Sequence, residues 1–225
     1  MMPTPIEIIL IRHGETEWNH LRRIQGQVDI PLNAIGVKQA AAVAERLARS
    51  PIRAIYTSDL QRASQTAAPI AAAHGLVAQA DRRLRERHFG EFQGDYYDRV
   101  QQSSPQRHQR LLSRELTFDL NGGETIPVLH QRVCEFLTDL ASRHAQGPVV
   151  VVTHGGVLDC VYRIATGMAL DAPRDFGLFN ASLNTIEADA GRFRILSWAD
   201  IGHLQTAADE IDPQRRPSAP VGKVG

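Results

Sequence analysis

Two histidines occupy nearly the same setting in this chain. His13 follows the apolar run "IEIILIR" and His154 follows "VVVVT"; each is succeeded by glycine and then by a helical pattern. Backbone N–H groups at such a helix start point toward whatever lies beyond the strand, and the helix dipole favours an anion there. Gly14 and Gly155 are expected to let that backbone approach a ligand. Arg12 can join His13 only if the chain turns directly after the strand, since adjacent strand residues face opposite ways. Arg62, in "SDLQRASQTA", falls in or just after the first turn of another helix. Ser58 with Gln61 fits a capping box there, with Asp59 as the alternative cap. The dipole disfavours a cation at that place, so Arg62 makes sense beside an anion, although taken alone it also reads as a surface arginine paired with a carboxylate. Two imidazoles, two guanidiniums and several backbone donors suit a phosphate, which arginine binds through paired hydrogen bonds. A neutral imidazole can attack phosphorus and later depart, dividing one phosphoryl transfer into two easier steps. Glu86, among arginines in "RLRERHFGEFQG", is the candidate proton donor for the leaving alkoxide.

The elements that must hold these groups alternate between strand and helix. Residues 6–11, 52–58 and 148–156 read as strands with apolar faces on both sides, and 76–80 as a weaker one. The segments 36–50, 59–74 ending at Gly75, and 125–144 with Thr125 as N-cap and Pro127 in the first turn read as helices. Pro69 is a candidate kink. "VLDCVYRIATG" continues as the helix after His154, and "SLNTIEAD" with "RFRILSWAD" forms a terminal hairpin about Ala190-Gly191. The pattern predicts an α/β fold: a three-layer αβα sandwich with a mostly parallel central sheet, whose ligands bind beyond the strands' carboxyl ends. Residues 87–124 are Gln- and Arg-rich and broken by Ser103-Ser104-Pro105; they read as a small helical insertion over one edge of the domain. A single domain is expected over 1–210, with residues 211–225 as a disordered Pro-, Gly- and charge-rich tail.

Composition narrows the partners. Of 225 residues, 25 are Lys or Arg and 25 Asp or Glu, a balance that argues against a general nucleic-acid or anionic-membrane surface. The N-terminus lacks signal-peptide features and no apolar run approaches a bilayer span, so a cytoplasmic protein is expected. Cys134 and Cys160 read as small core residues rather than as ligands or a disulfide pair, and no metal site is expected. Arg107, Arg110 and Arg114 read as a solvated helix face, with contact to an anionic substrate as the alternative, and Asp159 as structural. Trp18, Phe89 and Phe92 fit either pocket wall or core, and one of Asn180, Ser182 and Asn184 is placed to reach the site.

In the order "RHGETEWN", "RIQGQVDIPLNAIGVKQA", "SDLQRASQTA", "LRERHFGEFQG", "GGET" and "VVTHGGVLD", the chain resembles the histidine phosphatase superfamily, in its phosphoglycerate-mutase-like branch. The resemblance implies His13 as the nucleophile that becomes phosphohistidine. It implies Arg12, Arg62 and His154 as holders of the phosphoryl group and Glu86 as general acid and then base. Asn19 would bind phosphate or substrate, and Gln25, Gly26 and Gly155 would line the phosphate pocket. No cofactor or metal is implied. The partner would be a small phosphorylated metabolite, and the protein a monomer or homodimer. Mutase relatives carry a longer basic insertion after the glutamate; here only 35 residues separate Glu86 from Gly122, which favours phosphatase over mutase. The alternatives are a cofactor-dependent phosphoglycerate mutase, a histidine-coordinated metallohydrolase and a non-catalytic phospho-ligand binder.

Overall fold

A computed structural model describes residues 5–207. The expected tail at 211–225 lies outside them. Six strands form one sheet: β1 Ile6–Arg12, β2 Ala54–Thr57, β3 Ala78–Ala80, β4 Val149–Thr153, β5 Leu183–Asp189 and β6 Arg192–Asp200. Their spatial order is β3-β2-β4-β1-β5-β6. The first four run parallel; β5 is antiparallel to β1 and closes a hairpin with β6.

The apolar doublets in the sequence become two cores. Ile6, Ile8, Leu10, Val149 and Val151 face one side of the sheet, against Val133, Phe136, Leu137 and Leu140 of one helix and Val157, Leu158 and Val161 of another. Those helices are α6 Ile126–Arg143 and α7 Gly155–Thr166, the numbering counting five earlier helices. Ile9, Ile11, Val150 and Val152 face the opposite side, against α2 Ala34–Leu47 and α3 Gln61–His74. A strand buried on both faces needs apolar residues at every position, which is why β1 and β4 read as continuous runs rather than alternating ones. Each fully buried Val, Leu or Ile contributes on the order of 1.5–3 kcal/mol. The layers are therefore helix, sheet, helix.

Element ends follow local chemistry. Asn33 caps α2 through Gly36 N–H at 2.8 Å, so the helix starts at Ala34, two residues before the expected start at Gly36. Gly75 ends α3 in the left-handed region, and α3 runs through Pro69 as one helix. Thr125 caps α6 as read. The short α1, Glu17–His20, went unread because four residues carry no periodicity; a capping box between Thr16 and Asn19 holds it. The insertion contains α4 Tyr97–Ser103 and α5 Pro105–Leu112. It gathers a separate small core of Ile24, Phe92, Val100, Phe118 and Leu120, and with Arg12, Gly155 and Gly156 its residues line a cavity at the strands' carboxyl ends.

Candidate active site

The register of β1 against β4 builds the site. Arg12 pairs with Thr153 in the parallel ladder, and His13 N–H continues it to the Thr153 carbonyl at 2.9 Å. His13 and His154 thus emerge side by side, their ring centroids 5.0 Å apart. Arg12 and His13 nevertheless serve one site: Arg12 Nε lies 3.7 Å from a Cβ added at Gly155, and its charge bears on the His13 ring.

Hydrogen bonds fix both imidazole tautomers. His13 Nδ1 lies 2.7 Å from the Gly14 carbonyl, to which it donates, leaving Nε2 with a bare lone pair. His154 Nδ1 accepts from Arg62 Nε at 3.2 Å, so its proton sits on Nε2. That buried Nε2 has no hydrogen-bond partner within the protein and is a donor awaiting an acceptor. Burial, then Arg62 and Arg12, hold the His13 pKa well below the ordinary value. Burial and the same arginines do so for His154, with His13 adding to them. Both rings are neutral at pH 7, the state a nucleophile and a hydrogen-bond donor require.

Arg62 is fully buried. Its Nη1 donates to Val28 O at 2.9 Å and its Nη2 to Gly26 O at 2.7 Å. Burial brings its pKa down to about 10, so it remains a cation at neutral pH. It is the second residue of α3, as the sequence placed it, but the expected capping box is absent. Leu60 is the N-cap, Ser58 Oγ accepts from Leu60 N–H, and Asp59 pairs with Arg85 instead. The orphan N–H of Gln61 is satisfied by Asp29, remote in sequence, at 2.7 Å. Local spacing could not reveal a cap supplied from another loop.

Glu86 stands opposite the histidines on an irregular loop. Its carboxylate accepts from Gly156 N–H at 3.0 and 3.1 Å and from Arg87 N–H at 2.7 Å. Arg132, from α6, clamps that loop by donating to the carbonyls of Arg83, Arg85 and Glu86 at 2.6, 2.7 and 3.0 Å. Arg132 is oriented in turn by Glu124 at 2.7 and 2.8 Å. Arg12, Glu86, Gly155 and Gly156 form one end of a cavity of about 650 Å³ whose other walls come from the insertion and from residues 171–178.

A family model described as the histidine phosphatase superfamily, branch 1, matches residues 8–201. The chain belongs to the histidine phosphatase superfamily. It is 39% identical over 203 residues to phosphoglycerate mutase-like protein 4 of Arabidopsis thaliana, covering 88% of this chain and 87% of that one. It is also 39% identical over 206 residues to a metal-independent phosphoserine phosphatase of the same plant, covering 89% and 84%. Among solved structures, a mycobacterial glucosyl-3-phosphoglycerate phosphatase superposes with a TM-score of 0.78 at 30% identity, over 87% of this chain and 99% of its own. The mixed α/β sandwich is the fold of these histidine phosphatases.

Within this histidine phosphatase, His13, His154, Arg62, Arg12, Glu86 and Gly155 converge at the strand ends. An added Cβ at Gly155 would sit 3.7 Å from Arg12 Nε and 3.8 Å from Glu86 Oε2, so this glycine faces the site. Gly14 has a different reason to be glycine. A Cβ there would lie 2.6 Å from Gly36 O, so it permits contact with α2 rather than with a ligand. Gln25 accepts from Thr16 Oγ at 3.0 Å, and Gly26 offers its carbonyl to Arg62 from the left-handed region. Asn19 Oδ1 accepts from Thr16 N–H at 3.1 Å and lies 3.4 Å from Asn180 Nδ2, which also donates to His13 O at 3.0 Å. Phe89 lines the cavity, Phe92 is core of the insertion, and Trp18 stacks under Arg23.

Three sequence readings change. Arg114 is not solvated: it donates to Asp159 at 2.7 and 3.2 Å inside the cavity, so Asp159 is a wall of the site and not merely structural. Cys134 is half-buried beside His130, while Cys160 is buried as read. His144, the C-cap of α6, hydrogen-bonds Tyr56 at 3.0 Å. Arg132 went unrecognised, because one arginine on an amphipathic helix carries no signal that its partners lie 46 residues upstream. Among the described residues no cluster of His, Cys, Asp and Glu is arranged to hold a metal ion, and no helix is long and apolar enough to cross a membrane.

Proposed function

We propose that this enzyme hydrolyses small phosphomonoesters through a covalent intermediate on His13, in the cytoplasm and with no bound metal or cofactor. The observation that carries the reading is the bare Nε2 of His13, fixed by the Gly14 carbonyl and set beside the unpartnered Nε2–H of His154. In the first step His13 Nε2 forms a bond to phosphorus as the ester P–O bond breaks, and protonated Glu86 gives its proton to the departing oxygen. In the second, Glu86 takes a proton from water as its oxygen attacks phosphorus, and the imidazole leaves neutral. Arg12, Arg62 and His154 meet the charge on the transferring group with preorganised donors.

The short insertion supports water, rather than a second substrate hydroxyl, as the final acceptor. Leu112 on the cavity wall is 58% exposed, so the cavity under the insertion opens to solvent on that side. The test is rapid-quench trapping with a labelled ester. Acid-labile label is expected on wild-type enzyme and lost in His13→Ala, with turnover lost too. Turnover in His13→Ala, or wild-type turnover with no label on His13, would overturn the assignment. Product formation independent of a bisphosphoglycerate primer separates phosphatase from mutase.

A further inference from the structure

The cavity carries a second set of charges that phosphoryl transfer does not use. Asp159, one helical turn after Gly155 on α7, is buried and accepts from Arg114 twice and from buried Arg163 at 3.0 Å. Arg163 is fully occupied, since it also donates to the carbonyls of Ala169 and Ala172. Arg114 is occupied too: its Nε donates to Leu170 O at 2.8 Å, tying the insertion to the loop after α7. Arg174 stands differently. It approaches Asp159 only to 3.9 Å, beyond hydrogen-bond distance, while lining the cavity with its side chain 39% exposed. Arg87, which also lines the cavity, donates to the carbonyls of Glu124 and Phe118. Glu86 aside, the carboxylates lining the cavity are Asp159 and Asp171. Three lining guanidiniums, those of Arg87, Arg114 and Arg174, thus face two lining carboxylates, and buried Arg163 behind the wall also draws on Asp159, which itself lies about 6 Å along the helix from Gly155.

We propose that Arg174, braced by the Arg114–Asp159 pair, binds a second anionic group of the substrate, a carboxylate or a phosphate, about one helical turn from the phosphoryl group. This rests on the phosphatase reading and deepens it. Arg174 sets specificity: it lines the cavity with a planar fork that no carboxylate meets within hydrogen-bond distance, and a compact anion there replaces the repulsion among the clustered cations with attraction. Neutral esters of equal size gain nothing from it. Partial burial and the like charges of Arg12 and Arg114, against the pull of Asp159, hold the Arg174 guanidinium below its ordinary pKa, as expected for a cation without a matched anion.

Two matched pairs test the proposal: 3-phosphoglycerate against glycerol 3-phosphate for a carboxylate, and 1,3-propanediol bisphosphate against its monophosphate for a phosphate. Wild-type kcat/KM is expected to favour the acidic member of at least one pair by about tenfold to a hundredfold, the range of a charge-assisted hydrogen bond. The pair showing the preference identifies the group. Arg174→Gln should collapse that ratio, mainly through KM, and Arg174→Lys should restore part of it. Equal kcat/KM within both wild-type pairs would overturn the proposal, as would a preference that Arg174→Gln leaves intact. Failure of the phosphatase reading looks different, since it removes turnover of every ester or the label on His13.

Discussion

Replacing Gly156 by alanine separates proton delivery from phosphoryl capture. A Cβ at this position would lie 2.2 Å from Glu86 Oε1 and 3.4 Å from the nearest Leu129 carbon. The leucine contact is ordinary, so the whole clash falls on the carboxylate, which must retreat by about 1.2 Å to reach ordinary contact at 3.4 Å. The fold should absorb this, because alanine is favoured over glycine inside a helix by up to about 1 kcal/mol. Misplacing a catalytic group by about 1 Å can cost on the order of 10²-fold, within the 10²–10⁴-fold that general acid catalysis supplies. For an alkyl phosphate, whose alkoxide needs a proton, kcat/KM should therefore fall about a hundredfold. For p-nitrophenyl phosphate, whose leaving group departs as a stable anion, it should fall only a few-fold. Gly155→Ala is the comparison, since its Cβ meets nothing nearer than 3.7 Å and should cost far less. Steady-state kinetics on the two esters, with thermal melts to confirm folding, decide the matter. Equal losses on both esters, or no loss on the alkyl one, would show that Glu86 is not the acid.

Arg132→Met should produce a milder form of the same leaving-group signature, because it frees three carbonyls of the loop carrying Glu86; Arg132→Lys should recover part of the alkyl-ester rate in the same assay. Arg62→Lys keeps a charge but loses the fork that bonds Val28, Gly26 and His154, so kcat/KM should drop about 10²–10³-fold for alkyl and aryl esters alike, and stability should fall in a urea melt. The depressed pKa values of His13 and His154 make the fold acid-sensitive. Above pH 6.5 neither state binds these protons, but below it the unfolded chain takes them up while the buried rings refuse them. Stability should then fall with pH by about 1.4 kcal/mol per unit for each ring, or about 2.7 for both, until the folded pKa values are reached. Urea titrations between pH 7.5 and 5.5 read this slope, and a His13→Asn, His154→Asn double variant with the same slope would contradict it.

The legible parts of this molecule were those where one local rule decides. β1 and β4 announced themselves because burial on both faces admits little but aliphatic residues, and His13 and His154 stood out by ending them. Gly75 and Thr125 marked helix ends through backbone geometry and a side-chain cap. Illegible were the bonds that cross the fold. Asp29 capping α3, Arg132 gripping the Glu86 loop and Arg114 meeting Asp159 each join segments tens of residues apart, and nothing in either neighbourhood specifies the other. What positions the insertion was illegible for the same reason: its helices have polar sequences, and they are held by a five-residue core that draws Ile24 from outside.

That small core divides the labour of change within the enzyme. Phe92, Val100, Phe118 and Leu120 stabilise the insertion largely among themselves, while the histidines at the strand ends and Arg62 on α3 rest on cores that include none of these four. A lineage can therefore redraw the face that greets the rest of a metabolite, swapping an arginine here or a leucine there, without retuning the phosphoryl chemistry. Diversity of diet and constancy of reaction would then have separate addresses in one chain.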